Sequence, residues 1–126
     1  PLGDSLKLGE GGGHAKNFTE ISRIPAYPPT TTLTAYEPAS GEDVWQQVLP
    51  AITFGASSGS LTTAGNLVFQ GTEDGSFYAF HAETGEQVFH HDAGRTIRSS
   101  PLTYEVNDTQ YVAVIASNTV LAFALP

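Results

Sequence analysis

The feature that most constrains the fold of this chain is an internal repeat. Residues 35–45 read AYEPASGEDVW and residues 79–89 read AFHAETGEQVF, so the two segments align without a gap at an offset of 44 positions. A shorter echo, Leu121-Ala122-Phe123, follows Tyr78-Ala79-Phe80 at an offset of 43. Four-stranded units that recur every ~40–50 residues are typical of β-propeller blades. The repeat therefore predicts an all-β fold built from such blades.

The central stretch, residues 60–89, alternates apolar and polar residues at period two and breaks at turns that contain Gly65, Gly75 and Gly85. This pattern predicts four short antiparallel strands, which form one complete blade. The same alternation predicts further strands at residues 31–36, 44–49, 102–105, 110–116 and 120–125.

The predicted organisation is a partial β-propeller of about two and a half antiparallel blades. Residues 31–50 form half a blade, residues 57–92 a full blade, and residues 97–126 a three-stranded closing blade. Residues 1–30, with three consecutive glycines and several prolines, are predicted to be an extended or irregular arm or insertion.

The length of the chain limits how a propeller can be completed. Its 126 residues hold fewer than three units of 44, whereas closed propellers use about four to eight blades. An open arc would leave strand edges unpaired. We expect the remaining blades to lie on the same longer chain or on another polypeptide, or several copies of this chain to associate. The lack of any methionine favours a part of something longer, and the closing blade's outer strand could then come from the other end of the full polypeptide.

Composition excludes several classes of function. The net charge is −8 with only five Lys and Arg, so nucleic acids and anionic membranes would be repelled. The absence of cysteine excludes a disulfide framework, a zinc-thiolate site and a Cys-x-x-Cys-His haem attachment within these residues. No apolar run approaches the ~20 residues of a membrane span, and no signal-peptide pattern is present.

Each copy of the repeat places a bulky ring four residues after a turn glycine. Such a ring can lie flat over a peptide of the neighbouring blade and bury some 150–250 Å². The small alanine at the start of each copy would leave room for the neighbouring ring. The predicted structural docking residues are Ala35, Gly41, Trp45, Ala79, Gly85 and Phe89. The alternative for Trp45 is stacking on a ligand.

This pattern resembles the tryptophan-docking repeat of quinoprotein dehydrogenases, which are eight-bladed propellers that use pyrroloquinoline quinone (PQQ). Residues 61–72, LTTAGNLVFQGT, resemble the C-terminal blades of the PQQ-dependent alcohol dehydrogenase branch. So do residues 101–106, PLTYEV, with residues 110–114, QYVAV. The closing residues, AFALP, are similar to the end of soluble family members. The resemblance covers about residues 33–126.

The resemblance implies the C-terminal part of a periplasmic PQQ-dependent dehydrogenase that oxidises alcohols or sugars. Family members bind PQQ and Ca²⁺ or a lanthanide near the propeller axis, and an aspartate acts as base while hydride passes to the quinone. The metal ligands and that aspartate belong to earlier blades, and no segment here matches them. We therefore expect no catalytic and no metal-binding residue in this chain, which would be catalytically incomplete alone. The alternative is a non-catalytic propeller scaffold or assembly module.

The cofactor-binding candidates lie in loops that lead into the innermost strands. They are Ser57, Ser58, Gly59 and Arg98. A guanidinium suits the carboxylates of the tricarboxylate PQQ, but Arg98 could equally be an exposed arginine paired with an acid. His81 stands where the docking repeat usually has an acidic residue, and His14, His90 and His91 lack metal-ligand spacing.

Overall fold

The computed structural model describes residues 30–50 and 58–126, and within these residues all regular structure is β. The nine strands are β1 (Thr30–Tyr36), β2 (Asp43–Pro50), β3 (Ser60–Thr63), β4 (Leu67–Gly71), β5 (Ser76–His81), β6 (Gln87–Asp92), β7 (Leu102–Val106), β8 (Thr109–Ala116) and β9 (Thr119–Ala124). The described residues contain no helix that could cross a membrane. The predicted arm, up to residue 29, and the candidate Ser57 lie outside the described residues.

The strands form three antiparallel sheets in simple chain order. The first sheet is β1-β2, the second sheet is β3-β4-β5-β6, and the third sheet is β7-β8-β9. Every strand pairs with its neighbour in sequence, as expected for meanders joined by tight turns. The predicted all-β fold, with sheets of the size of propeller blades, is confirmed.

The sequence repeat is also a repeat in three dimensions. In the β1–β2 hairpin Ala35 pairs with Trp45, and in the β5–β6 hairpin Ala79 pairs with Phe89. Directly after each pair the register shifts by one residue, so both hairpins carry a bulge at the same place. The small residue of each copy is therefore directly opposite the aromatic one.

The turns of the two hairpins also match. Gly41 and Gly85 have φ of +74° and +72°, a conformation that side chains other than glycine's rarely adopt. The Gly41 amide donates to the carbonyl of Glu37 (2.7 Å), and the Gly85 amide donates to that of His81 (2.8 Å). The turn glycine of each copy is thus required by backbone geometry.

The main core lies between the second and third sheets. Phe77 of β5 and Val112 of β8 are fully buried there, and Phe77 stacks on Phe123 of β9 with 5.5 Å between ring centroids. Ile97, in the loop between the two sheets, is also fully buried. The buried cluster comprises Phe69, Phe77, Ala79, Ile97, Val112, Val114 and Ala116.

The opposite face of the third sheet is apolar but exposed. Alternate residues of a strand point to opposite faces, so the residues between the buried positions of β8 point away from the second sheet. Ile115 is 48% exposed, and its cross-strand partner Val120 is 69% exposed. The other exposed apolar side chains of this sheet are Leu102, Tyr104 and Val106. Such a surface is what a further blade would cover.

Candidate functional site

Three segments meet at one end of the second and third sheets, and we call this end the loop face. They are residues 58–59 before β3, the β4–β5 turn at residues 72–75, and the loop at residues 93–101 before β7. A Cβ on Gly59 would collide with the hydroxyl of Ser100, and the Ile97 amide donates to the Thr72 carbonyl (3.2 Å). The structure therefore brings the segments that carry Ser58, Gly59 and Arg98 to one place.

Ser58 is buried, and its hydroxyl is used within the protein. It donates to the Gly71 carbonyl (2.6 Å) and accepts from Nε2 of Gln70 (2.9 Å). Nε2 of Gln70 also lies 3.1 Å from the Ser58 carbonyl, and Oε1 of Gln70 accepts from Ser60 (2.7 Å). The Ser58 hydroxyl thus fixes the segment leading into β3. Sequence reasoning missed Gln70, although a glutamine within an apolar strand is a signal of a buried polar network.

Gly59 lies where two loops approach each other closely. A Cβ at this position would lie 2.3 Å from Oγ and 3.1 Å from Cβ of Ser100, so a larger residue would require the Ser100 side chain to move. Gly71 is constrained in the same way by the side chain of Ile97.

Arg98 lies at the surface of the loop face and is held there by an acid. Its side chain is 66% exposed, and Nη2 lies 3.3 Å from Oε1 of Glu73, whose side chain is only 3% exposed. The sequence left open a paired surface arginine or a ligand contact; the structure shows the pairing, and the ligand contact stays a prediction. Arg98 is paired, and it also lines an open pocket of about 470 Å³.

Positive charge in the described part of the chain is confined to this loop. Residues 30–50 and 58–126 contain ten Asp and Glu but only two Lys or Arg, which are Arg95 and Arg98. Nη1 of Arg95 donates to Oδ1 of Asn118 in the β8–β9 turn (2.6 Å). The loop face is therefore the one place in these residues where an anion would meet positive charge.

The remaining polar groups of the β4–β5 turn are committed to its shape. Oδ1 of Asp74 accepts from the Ser76 amide (3.1 Å) and from the hydroxyl of Thr72. A carboxylate that closes a turn in this way satisfies backbone donors, so we assign it no acid-base role.

The histidines of the described residues take part in packing. His90 stacks on Tyr78 at 4.8 Å, and His91 meets the edge of Phe123 at 5.2 Å. Nδ1 of His81 is buried without a hydrogen-bond partner. The described residues include no group of three or more His, Cys, Asp or Glu arranged to hold a metal ion.

Trp45 joins the first sheet to the second sheet. Its Nε1 donates to the Ala82 carbonyl (2.8 Å), and its ring covers Gly85, where a Cβ would lie only 2.7 Å from Cδ2. Gln47 adds a hydrogen bond from Nε2 to the Gly85 carbonyl (2.7 Å). Gly41, the equivalent glycine of the first sheet, has no atom within 4 Å of its Cβ position among the described residues.

Phe89, the repeat equivalent of Trp45, contacts a ring instead of a glycine turn. It meets Phe123 edge-on, with 5.5 Å between centroids and 69° between the planes. Leu125 and Pro126, which follow β9, lie beside this ring pair. Phe89 instead lines an apolar groove of about 350 Å³ with these residues.

Comparisons with known proteins agree with this architecture. Residues 14–112 match the family model described as PQQ, the β-propeller domain of glucose, ethanol and alcohol dehydrogenases. The chain is 43% identical over 84 residues, or 67% of its length, to quinoprotein alcohol dehydrogenase PedH of Pseudomonas putida. It is 39% identical over 108 residues, or 84% of its length, to the quinohemoprotein alcohol dehydrogenase of Comamonas testosteroni. The chain spans about 14% of the length of each of these relatives.

Solved structures show the same similarity. The crystal structure of the Comamonas testosteroni enzyme superimposes with a TM-score of 0.63 at 39% identity, over 71% of this chain and 13% of that one. A europium-containing methanol dehydrogenase gives a TM-score of 0.57 at 36% identity, over 66% of this chain and 14% of that one. The matched part of this chain thus has the fold of a part of these proteins.

Proposed function

Because this chain belongs to the PQQ β-propeller family of glucose, ethanol and alcohol dehydrogenases, we propose that it supplies blades and loop-face segments to a PQQ-dependent dehydrogenase that oxidises alcohols or sugars. The observation that carries the proposal is the family match over residues 14–112, supported by 43% identity to a quinoprotein alcohol dehydrogenase. The chain corresponds to about 14% of that relative, so we place the remaining blades in the same polypeptide. On the same family resemblance we assign the complete protein to the periplasm.

The described residues fit one part of the implied cofactor. PQQ carries three carboxylates, and the loop face offers an exposed guanidinium beside a pocket. When bound, the quinone would be the oxidant that accepts hydride from the alcohol. Ser58, Gly59 and Arg98 would contribute to the wall of its site. The pairing of Ser58 with Gln70 and Gly71 keeps that wall in place.

The described residues do not fit the metal. They contain no group of three or more His, Cys, Asp or Glu that could hold Ca²⁺ or a lanthanide, and the carboxylate of Asp74 closes the β4–β5 turn. We assign the metal and the catalytic base to residues outside the described segments, and we regard this chain as catalytically incomplete alone.

The test is reconstitution of the complete protein with PQQ and either Ca²⁺ or La³⁺. We expect quinone absorbance to stay with the protein through gel filtration, together with dye-linked oxidation of alcohols. Loss of the quinone and no alcohol oxidation under both metals would contradict the proposal and favour the non-catalytic scaffold. The reading frame on either side of these residues tests the single-polypeptide arrangement, for which we expect further docking repeats.

A further inference from the structure

One of the two cations among the described residues, Arg98, lines a pocket. Arg95 and Arg98 are the two cations among the described residues, which carry ten acids, and both lie in the loop between β6 and β7. We propose that the pocket beside Arg98 binds a carboxylate group, and that Glu73 is a positioning residue that orients the Arg98 guanidinium toward it. The inference rests on the proposed function, because the carboxylate would come either from the quinone cofactor or from an alcohol substrate that carries an acid.

The pocket has the size and the walls of a small-molecule site. Its volume of about 470 Å³ lies within the range of ligand pockets. Thr96, Arg98 and Ser99 line it from the loop, and Ile115 and Ser117 line it from the third sheet.

Two hydrogen bonds hold these walls together. The Ser117 amide donates to the Thr96 carbonyl (2.9 Å), and the Ile115 amide donates to the hydroxyl of Ser99 (2.8 Å). The hydroxyls of Thr96 and Ser117 make no hydrogen bond within the described residues, so both are available as donors. These two hydrogen bonds limit the movement of the loop against the third sheet, and the side of the pocket at Ile115 belongs to the apolar face that a further blade would cover.

Arg98 has donors to spare for a ligand. A guanidinium carries five N–H groups in a fixed fork, and within the described segments Arg98 uses one nitrogen, Nη2, on Glu73. A carboxylate can accept two parallel hydrogen bonds from such a fork. Because Glu73 is buried, it anchors one side of the guanidinium to the β4–β5 turn and limits the freedom that Arg98 would lose on binding.

The negative charge of Glu73 should weaken the binding of an anion beside Arg98. The electrostatic effect of Glu73 and its positioning effect therefore predict different results for substitutions of Glu73. Glu73 reduces the positive potential at Arg98, so a purely electrostatic effect predicts that any neutral replacement tightens anion binding. A positioning role predicts that two neutral substitutions of Glu73 have opposite effects on binding. Glu73→Gln keeps an oxygen acceptor for Nη2 and retains or increases affinity, whereas Glu73→Ala frees the guanidinium and weakens binding although a negative charge has been removed.

The experiment uses the complete protein and three probes. The first is PQQ against its trimethyl ester, the second is 4-hydroxybutyrate against 1-butanol as substrate, and the third is citrate followed by calorimetric titration. The variants are Arg98→Gln and the two Glu73 substitutions. Arg95→Gln is the matched control, because it removes the same charge from the same loop but pairs with Asn118.

We expect Arg98→Gln to weaken the binding of one carboxylate probe about tenfold, because one charge-assisted hydrogen bond is lost. Arg95→Gln should change the same affinity less than threefold. Weaker binding of PQQ but not of its ester assigns the carboxylate to the quinone. A raised KM for 4-hydroxybutyrate, with KM for 1-butanol unchanged, assigns it to the substrate.

Two results would overturn the inference. Equal effects of Arg98→Gln and Arg95→Gln on every probe would contradict a carboxylate site at Arg98. Tighter binding in both Glu73 variants would contradict the positioning role of Glu73. Thermal unfolding of each variant shows whether it is folded. If Glu73→Ala or Arg98→Gln does not fold, binding is compared between the unmodified protein, Glu73→Gln and Arg98→Lys instead. A protein that ignores PQQ contradicts the proposed function alone, because citrate binding still tests the site.

Discussion

Trp45 holds two sheets together through both its ring and its nitrogen. The ring covers Gly85, and Nε1 donates to Ala82. We expect Trp45→Phe to lower the free energy of unfolding by about 1 kcal/mol, the net value of one hydrogen bond. Trp45→Ala should cost about 3 kcal/mol or more, because apolar contact is lost as well.

Chemical unfolding of the complete protein measures this difference. The matched control is Val44→Ala, the adjacent residue, which is 57% exposed and should change stability by less than about 0.5 kcal/mol. Equal losses at positions 44 and 45 would show that the docking contact does not hold the sheets together.

His81 is a second residue whose replacement should have a measurable effect. Its Nδ1 is buried without a hydrogen-bond partner among residues 30–50 and 58–126, whereas Glu37 at the equivalent position accepts a hydrogen bond from the Ala39 amide (3.3 Å). We expect His81→Glu to stabilise the protein by about 0.5–1 kcal/mol, because the carboxylate would accept from the Glu83 amide. Thermal unfolding checks this, and the reciprocal Glu37→His should destabilise. A lower melting temperature for His81→Glu would refute the expectation.

At the scale of single residues, the sequence predicts which kind of contact a side chain makes better than it predicts which residue is the partner. A surface arginine paired with an acid is predictable, but the choice of Glu73 among the acids depends on how two sheets pack. The pair is separated by 25 positions and joins a turn of one sheet to the loop before the next. For the same reason the partners of Ser58 could not be predicted from the sequence, since Gln70 reaches it across a strand pair.

The secondary structure elements, by contrast, follow closely from the sequence. Alternation and turn residues predict strands at 44–49 and 102–105, and the structure has β2 at Asp43–Pro50 and β7 at Leu102–Val106. The period-two pattern limits which residues can pair, and in the β7–β8 and β8–β9 hairpins a turn of two residues leaves no freedom in register. What alternation does not predict is the bulge next to each aromatic residue, which depends on the twist of a hairpin.

The β7–β8 hairpin offers a test at this scale. Its two turn residues, Asn107 and Asp108, have φ of +50° and +59°, as in the turns that favour Asn-Gly. We expect Asp108→Gly to stabilise the protein by about 0.5–1 kcal/mol, because glycine adopts this conformation without strain. Asp108→Ala is the control, since it removes the same carboxylate but keeps the Cβ, and it should not stabilise. Melting temperatures of the two variants decide between turn strain and charge as the cause.

In the whole molecule, repeat symmetry predicts contacts that these residues do not contain. Gly85 is covered by Trp45, but nothing among the described residues covers Gly41, although the two turns have the same geometry. If the chain is part of a closed ring, an aromatic residue of another blade covers Gly41. In the complete protein Gly41→Ala should therefore destabilise as much as Gly85→Ala, by several kcal/mol.

Gly94→Ala is the control for this comparison. Gly94 has φ of +62°, and no atom of the described residues lies within 4 Å of its Cβ position, so its replacement should cost only backbone strain, about 1–2 kcal/mol. Unfolding of the three variants by denaturant measures each cost. A loss at Gly41 no larger than that at Gly94 would mean that no blade lies over the first sheet.

The position of Trp45 also provides an optical signal. The chain has a single tryptophan, and it lies where the first and second sheets meet. In the complete protein, the difference between the emission of the unmodified protein and that of Trp45→Phe therefore reports on this one boundary between blades. A red shift that precedes the loss of β circular dichroism during denaturation would mean that neighbouring blades separate before either of them unravels.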